Sequence, residues 1–436
     1  MISPVTGSII TPAISDVDSD TAVSFRIRPD STHRYSDSPV PIPAGGRWSW
    51  GGSIGGLTAG LLLKEQGFDV TIFERTPTEL GNRGGGIVLQ PDTLRWFRER
   101  STITPEDVST STQFLRYLGA ENKVIFEEKA EWHYSSWSVM YNSLLADFGR
   151  ESYVLGEYAV GFDQDPEGVD VRFVSGRTER ADLVVFADGI TSVGRKRLYP
   201  DAGLSYSGYI GWRGTVLESD VSPETAELLG SSLTYSVGPD THICMYPIPG
   251  PDNGFEVGKR LLNYVWYRNV AEGPELDEIL TDKRGFTGPV SVHPGQVQDR
   301  YITEMKAAAA ELLAPAAAEL VNLTAEPYIQ PVLDVRTPRM IQGRVALIGD
   351  AAFAARPHAA AAAAAAKAAA DAWALAAALS ENDNVATALA KWEPGQLQVG
   401  RDLIDRVTRM GARSQFQNTW TPGDPDLRFG LYGPGQ

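Results

Sequence analysis

Hydrophobic and polar residues follow different patterns in the middle of the chain and on either side of it. From about residue 204 to residue 335, β-branched and aromatic residues alternate with other residues, which predicts a largely antiparallel β-sheet. Outside this region, helical patterns accompany three segments that predict strands: Asp69–Phe73, Ala181–Ala187 and Arg344–Ile348. The pattern therefore predicts an α/β (α+β) chain in which a helix-and-strand domain is interrupted by an inserted sheet domain.

Helical periodicity and end signals place the predicted helices. The first, Leu57–Gly67, ends at a glycine, which is typical of a helix C-terminus. Further helices are predicted at Gln90–Arg100, Ser138–Phe148, Gln298–Glu319, the alanine-rich stretch near 359–370 and Gln396–Gly411. Between Tyr153 and Arg180, alternation on both sides of the Ser175-Gly176 turn predicts antiparallel strands.

These patterns divide the chain into five parts. Residues 1–46 are rich in Ser, Pro, Thr and Asp and are predicted to be disordered or a doubtful start of the chain. The first part of the helix-and-strand domain covers 47–203, the sheet domain 204–335, and the second part with the C-terminal helices 336–413. The tail, 414–436, is rich in Gly and Pro.

Composition narrows the class of protein. With 436 residues, of which 42% are hydrophobic, the chain can bury one or two sizeable cores. The net charge of −16 argues against nucleic acid or an anionic membrane as partner, because phosphates would be repelled. A single cysteine, Cys244, excludes an internal disulfide and a cysteine-rich metal site, and we predict no metal site. No signal peptide or long apolar stretch is evident, so we expect a cytoplasmic protein without membrane insertion.

The first candidate for chemistry is the glycine-rich segment Gly51–Gly56 (GGSIGG). Gly51, Ser53 and Gly56 fit the G-x-G-x-x-G pattern with serine at the second glycine, a turn that lets the backbone approach a pyrophosphate at a helix N-terminus. Glu74 stands 23 residues after Gly51, at the end of a predicted strand, where a carboxylate is placed to hold ribose hydroxyls. An ordinary tight turn is the alternative interpretation.

Two further glycine-and-acid turns follow predicted strands. In ADGITSVGR (187–195), Asp188 and Gly189 end the strand; the alternative role for Asp188 is to cap the next helix. In ALIGDAA (346–352), Gly349 turns the chain and Asp350 could accept hydrogen bonds from two vicinal hydroxyls, such as those of a ribityl chain. Each motif alone is weak, but the three in this order and spacing fit different parts of one flavin nucleotide.

With these motifs, the chain resembles the class A flavoprotein monooxygenases, and in particular the 2,6-dihydroxypyridine 3-monooxygenase-like group. The resemblance covers most of 51–413. Other stretches that carry it are RGGGIVLQPDT (83–93), GYIGWRG (208–214), ICMYPIPG (243–250), NYVWYRN (263–269), PVSVHPG (289–295), IQPVLDVRTPRM (329–340) and RPH (356–358). It implies a Rossmann-like FAD-binding domain with an inserted, largely antiparallel β-sheet substrate domain.

The resemblance also implies an activity and a set of FAD-binding residues. The expected reaction is hydroxylation of a small phenol or hydroxypyridine through a flavin hydroperoxide, with FAD as cofactor, NAD(P)H as transient co-substrate, and O2. The resemblance leaves open whether the protein forms a homodimer. Arg195 is expected near the pyrophosphate and the approach of the reductant. The implied FAD-binding residues are Gly51, Ser53, Gly56, Glu74, Arg75, Arg83, Gly85, Asp188, Gly189, Gly349, Asp350 and Ala360.

Candidates for the substrate pocket rest partly on this resemblance. His358 is implied to face the flavin ring and is the candidate catalytic residue, since a general base must help remove the proton of the substrate hydroxyl. Its alternative role is a helix-start histidine bonded to the backbone. The substrate-binding candidates are Pro357, Trp212, Arg213, His242 and Tyr246. Alternation sends only one of Trp212 and Arg213 into the pocket, and it places His242 and Tyr246 on one face; ordinary packing is the alternative for all four.

Three local departures from the family pattern keep other functions open. The segment before Gly51 reads AGGRWSW (44–50) where a buried apolar strand is expected, Asn142 stands where relatives carry arginine, and Ala359–Ala366 replaces a loop with glycine and threonine. The alternatives are a degenerate, non-catalytic relative or a faulty gene model with impaired FAD binding, and another flavin oxidoreductase on the same fold. The absence of a W-x-W-x-I-P motif counts against a halogenase.

Overall fold

The computed structural model describes residues 48–50 (backbone only), 52–80, 85–357 and 363–436. The strands are β1 Trp48–Trp50, β2 Ile72–Glu74, β3 Gly86–Leu89, β4 Thr110–Leu118, β5 Val124–Ser136, β6 Tyr153–Leu155, β7 Ala159–Gln164, β8 Val169–Phe173, β9 Thr178–Ala181, β10 Val184–Phe186, β11 Ser205–Leu217, β12 Ser232–Gly238, β13 Thr241–Ile248, β14 Leu261–Asn269, β15 Tyr328–Asp334, β16 Ile341–Gln342 and β17 Val345–Leu347.

The described ranges also contain the α-helices. They are α1 Ile54–Glu65, α2 Pro91–Glu99, α3 Pro105–Val108, α4 Trp137–Phe148, α5 Val193–Leu198, α6 Pro223–Gly230, α7 Pro274–Ile279, α8 Asp299–Leu312, α9 Pro315–Leu323, α10 Ala363–Ser380 and α11 Val385–Gln415.

Within the described residues, six strands form a mainly parallel sheet in the order β16-β17-β10-β1-β2-β6. The short strand β1 lies at its centre and pairs in parallel with β10 and β2, so the segment with the unusual composition still occupies the expected strand position. β17 runs parallel to β10, and β6 runs parallel to β2. Because parallel strands point the same way, the turns that follow β1, β10 and β17 emerge at one edge of the sheet.

Helix α1 is buried on nearly all sides. Ten of its residues are buried, from Ile54 to Leu63, and it packs against α10 and α4 as well as the sheet. A helix covered all round needs no polar face, which explains why its sequence is almost entirely apolar before Lys64. The predicted glycine end is confirmed, since Gly67 has a φ of 83° just past the helix.

A second sheet follows the order β15-β11-β14-β13-β12-β4-β5-β3 among the described residues. Its pairings are antiparallel except for the parallel pair β12–β4. One face packs on α8 and α9 through a cluster that includes Trp266, Met305 and Leu320. The combination of a parallel α/β part with a large, mainly antiparallel sheet confirms the predicted fold class.

The smaller predicted hairpin is also present. β7, β8 and β9 form a three-stranded antiparallel sheet, and the turn between β8 and β9 contains Gly176 with a φ of 86°. Glycine adopts this left-handed backbone conformation easily, and this preference is why a Ser-Gly pair predicts a turn.

Two predicted helices differ from the structure. The helix predicted at Gln298–Glu319 is broken into α8 and α9, because Pro315 has no N–H to donate and disfavours a helical conformation at Ala314. The helix predicted at Gln396–Gly411 is longer and runs from Val385 to Gln415. Its start is fixed by Asn384, whose side chain accepts a hydrogen bond from the Thr387 N–H at 3.1 Å.

The C-terminal residues return to the second sheet. Trp420, Leu427 and Phe429 are buried and pack against β4, β12 and β13 on the face opposite α8 and α9. This tail therefore covers part of the sheet face that looks away from the helices. Within the described ranges, no helix is long and apolar enough to cross a membrane.

A buried ion pair closes the end of the β11–β14 strand pair. Arg260 donates through Nε to Glu218 Oε2 at 2.9 Å and through Nη2 to Glu218 Oε1 at 2.5 Å, and their side chains are 6% and 2% exposed. We expect Arg260→Met to lower the free energy of unfolding by about 3–5 kcal/mol, because a buried carboxylate loses its counter-charge. Urea denaturation measures the change. We expect Glu218→Met/Arg260→Met to regain most of the loss; equal destabilisation by both variants would contradict the ion pair as the cause.

Candidate active site

The turn after β1 brings Gly52 and Ser53 to the N-terminus of α1. The Gly52 N–H donates to Glu74 Oε2 at 3.3 Å, so this turn contacts the end of the neighbouring strand β2. A Cβ atom on Gly52 would lie 1.8 Å from the Tyr153 hydroxyl, so a larger residue would not fit without movement. Gly51 lies outside the described residues, and Gly56 is buried in the first turn of α1.

Glu74 is fully buried beside this turn. Its Oε1 accepts hydrogen bonds from the Thr76 N–H at 2.9 Å and the Thr76 hydroxyl at 2.7 Å. Burial raises the pKa of Glu74 to about 7, against the opposing effects of the Thr76 bonds, the Arg75 charge and the Gly52 bond. The acid at the predicted spacing therefore lies directly against the glycine turn.

The turn after β10 carries Asp188 and Gly189. Asp188 Oδ2 accepts from the Val193 N–H at 2.7 Å and the Gly194 N–H at 3.3 Å, which are bonds at the start of α5. These are the capping contacts that the sequence offers as the alternative role of Asp188. Its Oδ1 is buried without a hydrogen-bond partner among the described residues, and burial raises its pKa. Gly189 has a φ of 70°.

Arg195 joins the second turn to the third. Its side chain is buried, at 1% exposure, and donates to the carbonyl oxygens of Ala351 and Ala202 at 3.0 Å each, and to that of Ile190. The guanidinium is thus held by backbone carbonyls from both turns. Arg195 lies beside the second and third turns with its donors on backbone carbonyls, and its role near the pyrophosphate stays a prediction.

The turn after β17 presents Asp350. Gly349 has a φ of 57°, a conformation that favours glycine, and the next residue projects its carboxyl group toward the same edge of the sheet. Asp350 Oδ1 is buried and has no hydrogen-bond partner within the described ranges. Burial raises the pKa of Asp350 to about 6, and the Arg195 charge opposes this shift. A buried carboxylate oxygen without a hydrogen-bond partner is uncommon, and a bound ligand is one of its explanations.

Ala368 on α10 packs against two of the glycine motifs. A Cβ atom added at Gly55 or at Gly349 would lie 2.8 Å from the Ala368 Cβ in either case. The methyl group therefore packs against the backbone of the first and third motifs at once. Only glycine allows α10 to approach both turns so closely.

A buried ion pair on α10 holds the third turn from behind. Asp371 Oδ2 accepts from the Gly349 N–H at 2.9 Å, and its Oδ1 pairs with Lys367 Nζ. Both side chains are fully buried, and Lys367 also lies 5.6 Å from the centroid of the Phe353 ring. The alanine-rich helix thus contains the charged groups that fix the position of Gly349.

The second sheet supplies a separate cluster of polar side chains next to Gly85. The point where a Cβ of Gly85 would stand lies 2.7 Å from Tyr328 Oη, 3.3 Å from Asn263 Oδ1 and 3.7 Å from Arg213 Cζ. Tyr246 completes the cluster, because its hydroxyl donates to the Gly86 carbonyl at 2.9 Å. Two of the sequence candidates, Arg213 and Tyr246, are brought together here.

Trp212 is not part of this cluster. It lies on the opposite face of β11, is 3% exposed, and packs in the hydrophobic core formed with α8 and α9. The alternation rule correctly separates Trp212 from Arg213. The bulky apolar side chain faces the core, and the guanidinium faces the polar cluster.

His242 shares the face of Tyr246, as predicted, but it lies under the C-terminal tail. Its ring stacks on Tyr267 and Trp420 with centroid distances of 4.6 and 5.1 Å, and its Nδ1 is 3.0 Å from Gln415 Nε2. Burial lowers the pKa of His242 to about 3. The ring is therefore neutral near pH 7, and its contacts are those of a packed core residue.

The segment before His358 is anchored to the second sheet. Arg356 bonds to the Asp334 carboxylate at 2.6 to 3.0 Å and to the Tyr209 hydroxyl at 3.3 Å. Pro357 follows and is half-buried. His358 and Ala360 lie outside the described residues, as does Arg83. Arg356 therefore fixes where the chain leaves toward His358.

The sequence interpretation missed Asn263, Tyr328 and Gln330 as site residues. Asn263 is a polar residue among the apolar and aromatic residues in the first half of its strand, and it pairs in register with Tyr246. Tyr328 pairs with Arg213, and Gln330 Oε1 accepts from Arg213 Nη1 at 2.8 Å. The sequence does contain one signal, the side-chain amide of Asn263 on a strand of the predicted sheet. The pairing register of the strands is needed to show that this amide lies beside a candidate pocket residue.

The raised carboxyl pKa values predict a pH-dependent stability of the ligand-free protein. Glu74 and Asp350 ionise at higher pH when folded than when unfolded, so their contributions to stability fall as pH rises from about 4 to about 7. We expect Asp350→Asn to gain stability relative to the native chain across this range, on the order of 2–3 kcal/mol. Urea denaturation at pH 4.5, 6 and 7.5 measures the difference. A difference that stays constant with pH would contradict the shift.

Comparisons with known proteins all point to flavin-dependent enzymes. A family model described as FAD binding domain-like matches residues 206–334. The 2,6-dihydroxypyridine 3-monooxygenase of Paenarthrobacter nicotinovorans is 38% identical over 384 residues, which cover 87% of this chain and 94% of that protein. The aurachin C monooxygenase/isomerase of Stigmatella aurantiaca is 28% identical over 386 residues, covering 85% and 90% of the two chains.

Solved structures agree with this result. The structure of 2,6-dihydroxypyridine-3-hydroxylase from Arthrobacter nicotinovorans has a TM-score of 0.82 and 37% identity, and the match covers 87% of this chain and 95% of that one. Klebsiella pneumoniae HpxO, solved with FAD and uric acid, shares the fold at a TM-score of 0.69 and 20% identity, covering 86% and 89%. Such full-length similarity favours a flavin hydroxylase over a degenerate relative or another oxidoreductase. The chain belongs to the FAD-dependent aromatic monooxygenases, the family that its three glycine-and-acid motifs predict.

Proposed function

We propose that this hydroxylase acts on a small phenol or hydroxypyridine, takes its electrons from NAD(P)H, and holds FAD where the three turns converge. The observation that carries the proposal is Asp350, whose Oδ1 is buried without a described partner at the edge of the parallel sheet. A carboxylate in this state lacks the hydrogen bonds that normally offset its burial. The hydroxyl groups of a bound FAD would supply them.

Each turn has a role in this proposal. Glu74 would accept hydrogen bonds from the ribose and Asp350 from the ribityl chain. Ser53 and the N-terminus of α1 would face the pyrophosphate, where free N–H groups and the helix dipole favour negative charge. The remaining proposed contacts are Gly51, Gly56, Arg75, Arg83, Gly85, Asp188, Gly189, Gly349 and Ala360.

The chain itself contributes position, shielding and proton transfer. FAD, when bound, supplies the redox chemistry between NAD(P)H, O2 and the ring. A closed site would keep water from the ring during the reaction. His358, two residues after the anchored Arg356 in the sequence, would receive the proton of the substrate hydroxyl. Pro357, Arg213 and Tyr246 are proposed substrate contacts.

Location and assembly belong to the same proposal. A cytoplasmic enzyme fits the acidic chain and its proposed use of NAD(P)H, and a homodimer stays a prediction without support in a single chain. O2 and a small aromatic compound are the partners that the family requires. Nucleic acid is not expected at a net charge of −16.

FAD uptake tests the cofactor site directly. We expect the purified protein to bind FAD with an oxidised-flavin absorption spectrum, and Asp350→Asn to weaken binding about tenfold, because a hydrogen bond to a charged group is lost. Absorbance and flavin-fluorescence titrations measure the affinity. A colourless native protein that takes up no FAD would contradict the proposal and favour the degenerate relative.

The role of His358 is tested in the FAD-loaded enzyme. We expect His358→Asn to slow product formation by about 10²–10⁴-fold, the usual contribution of a general base, while FAD uptake stays unchanged. Substrate-stimulated NAD(P)H oxidation and the yield of hydroxylated product are measured across phenols and hydroxypyridines. His133→Asn on strand β5 is the matched control. If both variants keep the native rate, His358 is not the base.

A further inference from the structure

We propose that a surface cleft beside the third turn binds the adenosine and phosphate part of the nicotinamide dinucleotide. This inference rests on the proposed function, in which NAD(P)H supplies the electrons, and it assigns that co-substrate a place on the chain. The cleft has a volume of about 650 Å³, which is within the usual range for small-molecule sites. Neither Glu74 nor Asp350 lines it, and no residue of the polar cluster beside Gly85 does, so it is a separate site.

Three segments of the chain form the cleft. The first, 198–202, begins at the last residue of α5, the second is the stretch 336–338 before β16, and the third is α11 at Arg401. Hydrogen bonds join the second and third segments, because Arg336 donates to the Arg401 carbonyl at 3.3 Å and Arg401 donates to the Pro338 carbonyl at 3.1 Å. The cleft therefore has walls that the fold itself holds together.

The cleft adjoins the proposed flavin site through the backbone and through Arg195. The Thr337 N–H in the cleft wall donates to the Ala352 carbonyl, at the end of the third turn, at 3.2 Å. Arg195 donates to the Ala202 carbonyl in the cleft wall and to the Ala351 carbonyl in the third turn, at 3.0 Å each. A dinucleotide bound in the cleft by its adenosine end would thus be anchored next to the turns that we propose to hold FAD.

The segments around the cleft are basic in a chain that is acidic overall. The chain has 39 Lys and Arg residues against 55 Asp and Glu residues, yet the segments 195–202 and 335–340 contain five basic residues and one acid. The basic residues are Arg195, Lys196, Arg197, Arg336 and Arg339, and the acid is Asp201. Such a local concentration of positive charge attracts an anionic ligand.

Arg401 is the cleft residue whose charge is most available to a ligand. Three of the other cations already have acidic partners: Arg197 lies 3.7 Å from Asp163, Arg336 lies 2.7 Å from Asp405, and Arg339 lies 2.5 Å from Glu393. In the described part of the chain, Arg401 has a carbonyl partner but no ion-pair partner. A phosphate in the cleft would accept charge-assisted hydrogen bonds from Arg401 and from the half-exposed Arg336.

The remaining wall residues match the other parts of a nucleotide. Tyr199, Pro200 and Pro338 present apolar surface to a flat base, and the Tyr199 ring is held in place because its hydroxyl donates to the Ile341 carbonyl at 2.6 Å. Asp201 is exposed, so its carboxylate can accept hydrogen bonds from ribose hydroxyls. Partners for phosphate, base and sugar thus occur together, which favours a nucleotide over a simple inorganic anion.

The test uses ADP-ribose as the probe, because NADH and NADPH share this part and it lacks the nicotinamide ring. The FAD-loaded enzyme is used, so that FAD already occupies the glycine turns. We expect calorimetric titration to show binding of ADP-ribose, and ADP-ribose to compete with NAD(P)H in substrate-stimulated NAD(P)H oxidation. Inorganic phosphate is the second probe and should bind about tenfold or more weakly, because it lacks the base and the sugar.

Three variants make the test specific to the cleft. Arg401→Met should weaken the binding of ADP-ribose and raise the KM for NAD(P)H about tenfold, because a hydrogen bond to a charged group is lost, while kcat and FAD uptake stay unchanged. Arg401→Glu should weaken ADP-ribose binding further, because it reverses the charge. Arg409→Met, about two turns further along α11 and outside the cleft wall, is the matched control and should bind ADP-ribose like the native enzyme.

Native affinity for ADP-ribose in both Arg401 variants would overturn the proposal, and so would a lack of competition with NAD(P)H or equally tight binding of inorganic phosphate. If the Arg401 variants do not fold, Arg336→Met carries the test, and native affinity for ADP-ribose in that variant overturns the proposal. A native chain that takes up no FAD contradicts the proposed function. Titration of the FAD-free chain then still decides this inference, because binding at the glycine turns would not depend on Arg401, whereas binding in the cleft would.

Discussion

The contact between Ala368 and two glycines is the constraint on which the rest of the structure depends. Gly55 and Gly349 belong to motifs far apart in sequence, yet one methyl group packs against both. Helix α10 can approach the parallel sheet only because neither residue has a Cβ atom. Its approach places Asp371 on the Gly349 N–H, and that bond sets the turn from which Asp350 projects. Close packing of small residues therefore holds the first and third motifs next to each other.

The two halves of the molecule are tied by buried polar contacts. Arg356 leaves the parallel-sheet part and binds Asp334 on β15 and the Tyr209 hydroxyl on β11. Charge-assisted, multi-point bonds of this kind fix orientation as well as distance. The segment that leads to His358 is thus positioned by the same strands that carry Arg213 and Tyr328.

The sequence predicted the nucleotide half of the site better than the substrate half. Glycine turns and the spacing to Glu74 are local properties, so the chain reveals them without knowledge of its packing. The side to which Arg213 points follows from alternation, but its neighbours Asn263 and Tyr328 depend on the register of three strands. The break before Pro315 was readable from the sequence, because proline rarely continues a helix. The lowered pKa of His242 could not be predicted from the sequence, because it arises from burial of the ring under Trp420.

The alanine-rich helix also limits how the gene can drift. Alanine makes up most of this helix, and most of its residues have interchangeable side chains. The side chains of Lys367, Ala368 and Asp371 are not interchangeable, because each contacts a specific partner in the fold. One inserted residue within the helix ahead of them would rotate them by about 100° relative to the preceding turns. Changes of composition inside α10 are therefore tolerated more easily than changes of length between Ala363 and Asp371.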